Sequence, residues 1–339
     1  MRVFTWRILL LLFSAVLVGA NNTSAAAQAA GQAPAPPSAR QTNYNSVTIS
    51  NAGRTLVFDE PPARVVTLMQ QDAELLLALG LGDRLVGYAL VTAETPPTYA
   101  RQLRDVPILA QLTPSKEAIL AVEPDFIIGS QRSFLDNAAG TRARLAALGI
   151  QTYVTKARQP ATLDNQVYWQ IRDLARIFGV EQRGEQLIRS MRARISAISA
   201  RVRDIEEPVK VFYMVGGQGG TVQTAAGDSL DSRLIELAGG RNIFAELDGY
   251  LAQVSWEAII ARNPDVIVLS YCCGGSPQAL RKILADKPAL QAVTAVREQR
   301  YVAVEVEQTT GSMRIPSGLA RLARGFYPER FAGAEATPP

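Results

Sequence analysis

Short apolar runs bounded by turn residues alternate along the chain with stretches whose apolar positions recur every three to four residues. The first pattern predicts strands covered on both faces, the second amphipathic helices. Arg64–Leu68 reads as a strand, followed by a helix from Asp72 to Leu79 that stops at Gly80. Arg142–Leu148 reads as a helix closed by Gly149, followed by a strand at Ile150–Thr155. The order returns further on: a strand at Lys210–Met214, a helix from Ser229 to Ala238 ending at Gly239-Gly240, a helix at Pro277–Leu284 and a strand at Arg300–Val306. Strand–helix alternation of this kind predicts doubly wound α/β lobes.

One segment is used twice. Ser115–Ser130 (SKEAILAVEPDFIIGS) recurs as Ser255–Ser270 (SWEAIIARNPDVIVLS), with nine of sixteen positions identical. Each copy predicts a Ser-capped helix, a Pro-Asp stop and a buried strand. The expected organisation is an N-terminal lobe over 60–160, linking helices over 161–207, a C-terminal lobe over 208–328 and a tail over 329–339. Within the linking segment, Leu187, Ile188, Met191, Ile195 and Ile198 keep a helical period, and Gly179 interrupts it. A helix from Glu181 to Arg203 would span about 30 Å. It reads either as a stiff strut between two lobes or as half of a helix pair packed inside one large domain.

The N-terminus changes the picture. Arg2 and Arg7 precede the apolar run Ile8–Val18, which is too short to cross a bilayer and is followed by small residues. Residues 1–27 therefore read as a secretory signal peptide, with an uncleaved short anchor as the rival. No Cys follows the apolar core, so the expected product is a freely soluble periplasmic protein. Residues 28–59 read as an Ala/Pro/Gln/Ser-rich disordered leader and an N-terminal strand.

Composition narrows the chemistry. The chain has 339 residues, 47% hydrophobic and 19% charged, with a net charge of +4, which gives no case for nucleic acid. It has no histidine, so the commonest zinc ligand and the usual Ser-His-Asp triad are excluded. Its two cysteines are neighbours, Cys272 and Cys273. Three readings of them stand: a vicinal disulfide, which is strained because adjacent Cα atoms are about 3.8 Å apart; reduced packing thiols; or soft-metal or redox duty.

The segment Arg64–Gly87, the paired SxEAIxAxxPDxI segments, Leu234–Phe244 (LIELAGGRNIF) and the linking helix, in that order and spacing, resemble the periplasmic iron-complex and cobalamin binding proteins of ABC importers. The resemblance covers residues 60–328. It implies two α/β lobes joined by one long helix, a ligand held in the cleft between them, delivery to an inner-membrane permease dimer, a monomeric state, and no enzymatic activity or cofactor. It also implies that Glu117 and Glu257, at matching places in the repeat, dock onto arginines of the two permease subunits. The residues alone also allow a plainer role, since a carboxylate in a first helical turn is favoured by the helix dipole.

Ligands of open α/β sheets collect at the carboxyl ends of strands. That rule nominates Gln70, Gln71, Tyr88, Gln111, Gln131 and Arg132 in the first lobe. In the second it nominates the loop Gly216–Gly220 with Gln218, then Gly249-Tyr250, the loop Tyr271–Gly275 with Tyr271, and the loop Glu307–Arg314 with Arg314. Arg132 and Arg314 could pair with an anionic chelate, and the tyrosines could stack or donate. No residue is expected to bind a bare metal ion directly. The expected ligand is a ferric siderophore-type chelate, with cobalamin or haem second; Gln111 stands where some ferric-siderophore binders carry an arginine. An enzyme on a two-lobed fold, chelatase-like or redox, is the alternative from another class, and a chaperone-like lobe pair acting only on protein is a third.

Overall fold

The computed structural model of the protein describes residues 44–155, 161–218 and 220–333. The proposed signal peptide, most of the leader and the end of the tail lie outside these residues. An antiparallel hairpin comes first, β1 (Val47–Asn51) and β2 (Arg54–Phe58), turned by Ala52 and Gly53 at φ 47° and 75°. Positive φ at both central residues matches the right-handed twist of the flanking strands. Asn51 fastens the hairpin by exchanging two hydrogen bonds with the Val154 backbone, at 2.8 and 2.9 Å.

The first sheet is built from β3 (Val65–Thr67), β4 (Leu85–Ala89), β5 (Ile108–Ala110), β6 (Phe126–Ser130) and β7 (Gln151–Thr155). The helices α1 (Gln70–Ala78), α2 (Pro97–Leu103), α3 (Lys116–Leu120) and α4 (Arg142–Ala147) connect them. All its pairings are parallel, in the order β5-β4-β3-β6-β7, so the winding reverses between β3 and β6. A crevice opens at such a reversal, beyond the carboxyl ends of the strands.

The chain then runs through α5 (Trp169–Ile177), a break at Gly179 with φ 65°, and α6 (Glu181–Ala200). Helix α6 buries one stripe, Gly184, Ile188, Met191 and Ile195. It packs on α5 so closely that a Cβ on Gly184 would lie 2.6 Å from that of Ala175. It also packs on the last α-helix of the chain, and Arg183 and Ser199 donate to the carbonyls of Leu79 and Leu237.

The second sheet contains β8 (Val209–Gln218), β9 (Thr221–Ala225), β10 (Gly240–Asn242), β11 (Leu251–Ser255), β12 (Val266–Tyr271) and β13 (Tyr301–Glu305). Its helices are α7 (Leu230–Leu237), α8 (Trp256–Arg262), α9 (Pro277–Ala285), α10 (Thr294–Arg297) and α11 (Ile315–Phe326). The order is β11-β9-β8-β12-β13, with β10 beside the first half of β8. β10, β12 and β13 are parallel to β8, β9 is antiparallel to it, and β11 pairs antiparallel with β9. This corrects the expectation for Gly216–Gly220. Instead of a free cleft-lining loop, the segment belongs to the β8–β9 hairpin, and Gly217 lies against the Trp256 ring, 3.1 Å from the site of a Cβ.

The two repeats fall in different sheets and do the same local work. Ser115 Oγ accepts from Ala118 N at 3.1 Å, and Ser255 Oγ accepts from Ala258 N at 3.2 Å. Each helix is followed by a residue at positive φ, Glu123 (45°) or Asn263 (44°), before the proline that prevents its continuation. Each aspartate then clasps the start of its sheet's first strand. Asp125 accepts from Ala63 N and Arg64 N at 2.7 and 3.0 Å, and Asp265 accepts from Lys210 N at 2.8 Å. The repeat is thus a device for setting β6 beside β3 and β12 beside β8. One apolar core runs from the N-terminal hairpin through α5 and α6 to α11, and a smaller cluster fills the outer layer of each lobe.

Candidate functional site

The carboxyl ends of both sheets face a cavity of about 440 Å³. The first lobe supplies Met69, Gln70 and Gln71 after β3, Leu90 and Thr92 after β4, and Ser130 and Thr155 at the ends of β6 and β7. The second supplies Tyr213 from β8, Leu230 and Asp231 from the start of α7, Tyr250 and Leu251, Ser270 and Cys273, and Glu307 and Thr309 after β13. Gln166 and Gln170 close the space from the connecting segment.

Its floor is polar and buried. The Tyr213 hydroxyl lies 2.8 Å from Thr309 Oγ1, next to Asp231 and Ser270. Burial pushes the Asp231 carboxyl upward, against the hydrogen bonds it receives from Tyr213 and Thr309, and raises Tyr213 well above the usual phenol range. Asp231 Oδ1 has no hydrogen-bond partner. Glu307, 3% exposed, accepts from Thr92 Oγ1 across the cavity through Oε1, while its Oε2 has no partner. A buried oxygen without a donor costs about 1–3 kcal/mol, so the floor of the cavity is held together at some expense. Among the described residues, the cavity is lined by no lysine or arginine.

Beneath it, Arg314 binds Glu74 of the opposite lobe with both ends of its fork, at 2.5 and 2.9 Å, and Glu305 at 3.0 Å. Gln70 Nε2 donates to Glu74 Oε1 at 3.1 Å. Close by, Gln170 Nε2 donates to Asp72 Oδ1 at 2.8 Å. Burial pushes the Asp72 carboxyl up to about 7 despite that bond, and its Oδ2 has no partner.

Of the residues nominated from sequence, Gln70, Gln71 and Tyr250 line the cavity. Gln218 ends β8, and its side chain lies outside the described residues. Gln111, Gln131 and Arg132 are exposed and off the cavity wall, on segments that leave the strand ends outward. Tyr88 is buried within β4 and borders a separate hollow beside α2. Tyr271 packs into the outer core of the second lobe. Arg314 is 8% exposed and consumed by Glu74 and Glu305, so it does not present a free cation to the cleft. Cys272 and Cys273 are free thiols, not a vicinal disulfide. Cys273 is exposed on the cavity wall with φ 57°, and Cys272 is half-buried behind it. The nominated loop Glu307–Arg314 does reach the cavity through Glu307 and Thr309, whereas reasoning from sequence missed Asp231 and Tyr213. The signal for Asp231 was present: it sits in the first turn of its lobe's first helix, as Asp72 does in the other lobe.

On the surface, Glu117 and Glu257 are both exposed at the second helical position, two residues after the capping serine. Bonds from their own backbone N–H and from that serine hold both carboxyls below the usual range.

Two α/β units whose strands end on a shared cavity define the class of two-lobed substrate-binding proteins. The family described as periplasmic binding protein matches residues 65–305, and this chain belongs to it. It is similar to a Bacillus subtilis (strain 168) protein, the uncharacterized ABC transporter substrate-binding lipoprotein YvrC, at 26% identity over 86% of this chain and 89% of the relative. A cobalamin-binding protein of Halobacterium salinarum is 27% identical over 93% of this chain and 84% of its own. Among solved structures, an ABC-type Fe3+-hydroxamate transport system protein from Saccharomonospora viridis superposes with a TM-score of 0.69. It is 28% identical and covers 83% of this chain and 98% of its own. These relatives are transport proteins, not enzymes, and no cofactor is indicated. No helix among the described residues is long and apolar enough to cross a membrane.

Proposed function

We propose that this chain is the periplasmic binding component of an ABC importer, and that its cargo is a metal chelate with hydrogen-bond donors around its rim, a corrinoid in the first place. The carrying observation is the lining of the cavity between the two sheets, amide, hydroxyl and apolar side chains with no lysine or arginine among the described residues. A corrin ring is fringed with primary amides, which suit the amide and hydroxyl groups of Gln70, Gln71 and Thr310, and its apolar body suits Met69, Leu90, Leu230 and Leu251. Similarity to the cobalamin-binding protein of Halobacterium supports the same reading. An anionic ferric chelate would set its charge against Glu307, with Arg314 already engaged. An uncharged ferric hydroxamate is the second reading, favoured by the apolar walls and by similarity to the Fe3+-hydroxamate transport protein of Saccharomonospora.

In this proposal the lobes are those of residues 60–160 and 208–328, α6 is the strut between them, and Glu117 and Glu257 are the carboxylates that meet arginines of the permease dimer. Two similar lobes then offer two similar charges to two identical partner chains.

Titration by intrinsic fluorescence against cyanocobalamin, a neutral ferric trihydroxamate, an anionic ferric catecholate and haemin tests the cargo. Cyanocobalamin is expected to bind tightest, and Asp231→Asn to weaken it by about tenfold, worth 1.4 kcal/mol. Tightest binding of the catecholate would refute the reading. Glu117→Ala with Glu257→Ala is expected to abolish uptake and spare ligand affinity; loss of affinity would place these carboxylates in the binding site.

A further inference from the structure

We infer that this chain carries a second binding site, for a small anion with two or more charges on carboxylate or phosphate oxygens, in a groove between α6 and α11. The inference stands apart from the reading of the cargo and does not depend on it.

The segment after β13 lines two separate spaces. Glu307 and Thr309 face the cavity already described, whereas Glu305 and Gln308 face a hollow of about 850 Å³. The two long walls of this hollow carry the same pattern. Arg194 on α6 and Arg201 at its C-terminal cap stand seven residues apart with Ala197 between them, and Arg321 and Arg324 stand on α11 beside Ala320. Positions three, four and seven apart share one face of a helix, so each wall presents its arginines in one stripe, and the alanines leave the space between them open. With Arg314, five arginines surround the hollow against two carboxylates, Glu94 and Glu305, and Glu305 is already bound to Arg314. Among the described residues, the cavity on the other side is lined by no lysine or arginine. The two spaces therefore differ in sign.

Two of the arginines are ordered in advance. The Arg201 guanidinium lies over the Phe331 ring, 5.3 Å from its centroid, and Arg321 Nη1 donates to Ala303 O at 3.2 Å. Both contacts leave further N–H groups of a planar fork that meets an oxyanion through parallel bonds. A buried donor adds to them. Gln308 is 8% exposed. Its Oε1 accepts from Glu305 N at 3.1 Å, which fixes the amide, since the reverse orientation would set one donor against another. Its Nε2 is left without an acceptor among the described residues, on the groove wall. Buried amide nitrogens are seldom unpaired, and an oxygen of the anion would complete this one.

Thermal melts in citrate, inorganic phosphate and acetate at one ionic strength test the site. Citrate and phosphate are expected to raise the melting temperature saturably, because a ligand that binds only the folded chain stabilises it, and acetate is expected not to. Arg201→Ser and Arg321→Gln are each expected to weaken citrate binding about fivefold or more. Gln308→Glu keeps an acceptor for Glu305 N and sets a carboxylate oxygen toward the groove, and should weaken it at least about tenfold. Arg233→Gln, at an exposed position of α7 outside the groove, is expected to leave it unchanged. In the native protein, citrate is expected to protect Arg201 and Arg321 from phenylglyoxal, read by peptide mass mapping, and not Arg233. An equal rise in acetate, unaltered citrate binding in both arginine variants, or equal modification with and without citrate would overturn the inference. None of these outcomes bears on which chelate the other cavity holds.

Discussion

The two lobes share a scaffold and differ where the strands end. Ser caps, residues at positive φ before proline and Asp clasps are reproduced in both copies of the repeat, and each copy carries one exposed glutamate at the second position of its helix. At the cavity the likeness stops. The first lobe presents side chains without charge, Met69, Gln70, Gln71, Leu90, Ser130 and Thr155. The second presents Asp231, Glu307, Tyr213 and the Cys273 thiol, and it alone carries an antiparallel extension, β9 with β11. The two halves share what aligns strands and differ in chemistry at their carboxyl ends.

The largest expected effect lies at the seam between the halves. Glu74→Ala leaves Arg314 buried with only Glu305, and should cost about 3 kcal/mol, the usual loss when one member of a buried pair is removed. Urea denaturation checks it. A loss under about 1 kcal/mol would show that the lobes hold together without this pair.

Next come the two buried acids in the first turns of α1 and α7. Asp72 does not line the cavity, whereas Asp231 does. The folded-state value of Asp72, about 7, lies above the roughly 3.9 of an unfolded aspartate. The folded chain therefore holds a proton that the unfolded chain has released, and stability falls as pH rises from about 4 through about 7. Asp72→Asn keeps an acceptor for Gln170 and removes this penalty. It should stabilise by about 1–3 kcal/mol at pH 8, with no gain below about pH 4. Thermal melts across that range, together with an unchanged corrinoid affinity, would separate a residue of the scaffold from its ligand-facing counterpart.

The smallest effect sharpens the likeness. Asp125 holds two backbone N–H groups and Asp265 one, so Asp125→Ala should cost about 1–3 kcal/mol and Asp265→Ala about half as much. Equal losses would mean that the second N–H of Asp125 is worth little.

The scaffold was readable because it obeys short-range rules. Gly80, Gly149 and Gly239 end helices at φ 72°, 79° and 82°, and the apolar runs became the central strands. The hairpin β8–β9 was hidden because glycine carries no strand preference, so Gly216–Gly220 looked like a loop. Arg314 was misjudged because its partner lies 240 positions away and no local pattern encodes such a pairing. Part of the cavity floor was missed for a similar reason. Asp231 and Tyr213 are single polar residues without a motif and outside the strand-end loops, joined to the nominated loop Glu307–Arg314 only when several elements converge.

Every strand of the first sheet precedes α5, and every strand of the second follows α6. A chain that emerges amino end first can therefore finish one half before the other has appeared. Arg314 arrives only after the last strand of the second sheet, so the bond to Glu74 is a latch that nothing upstream can fasten early.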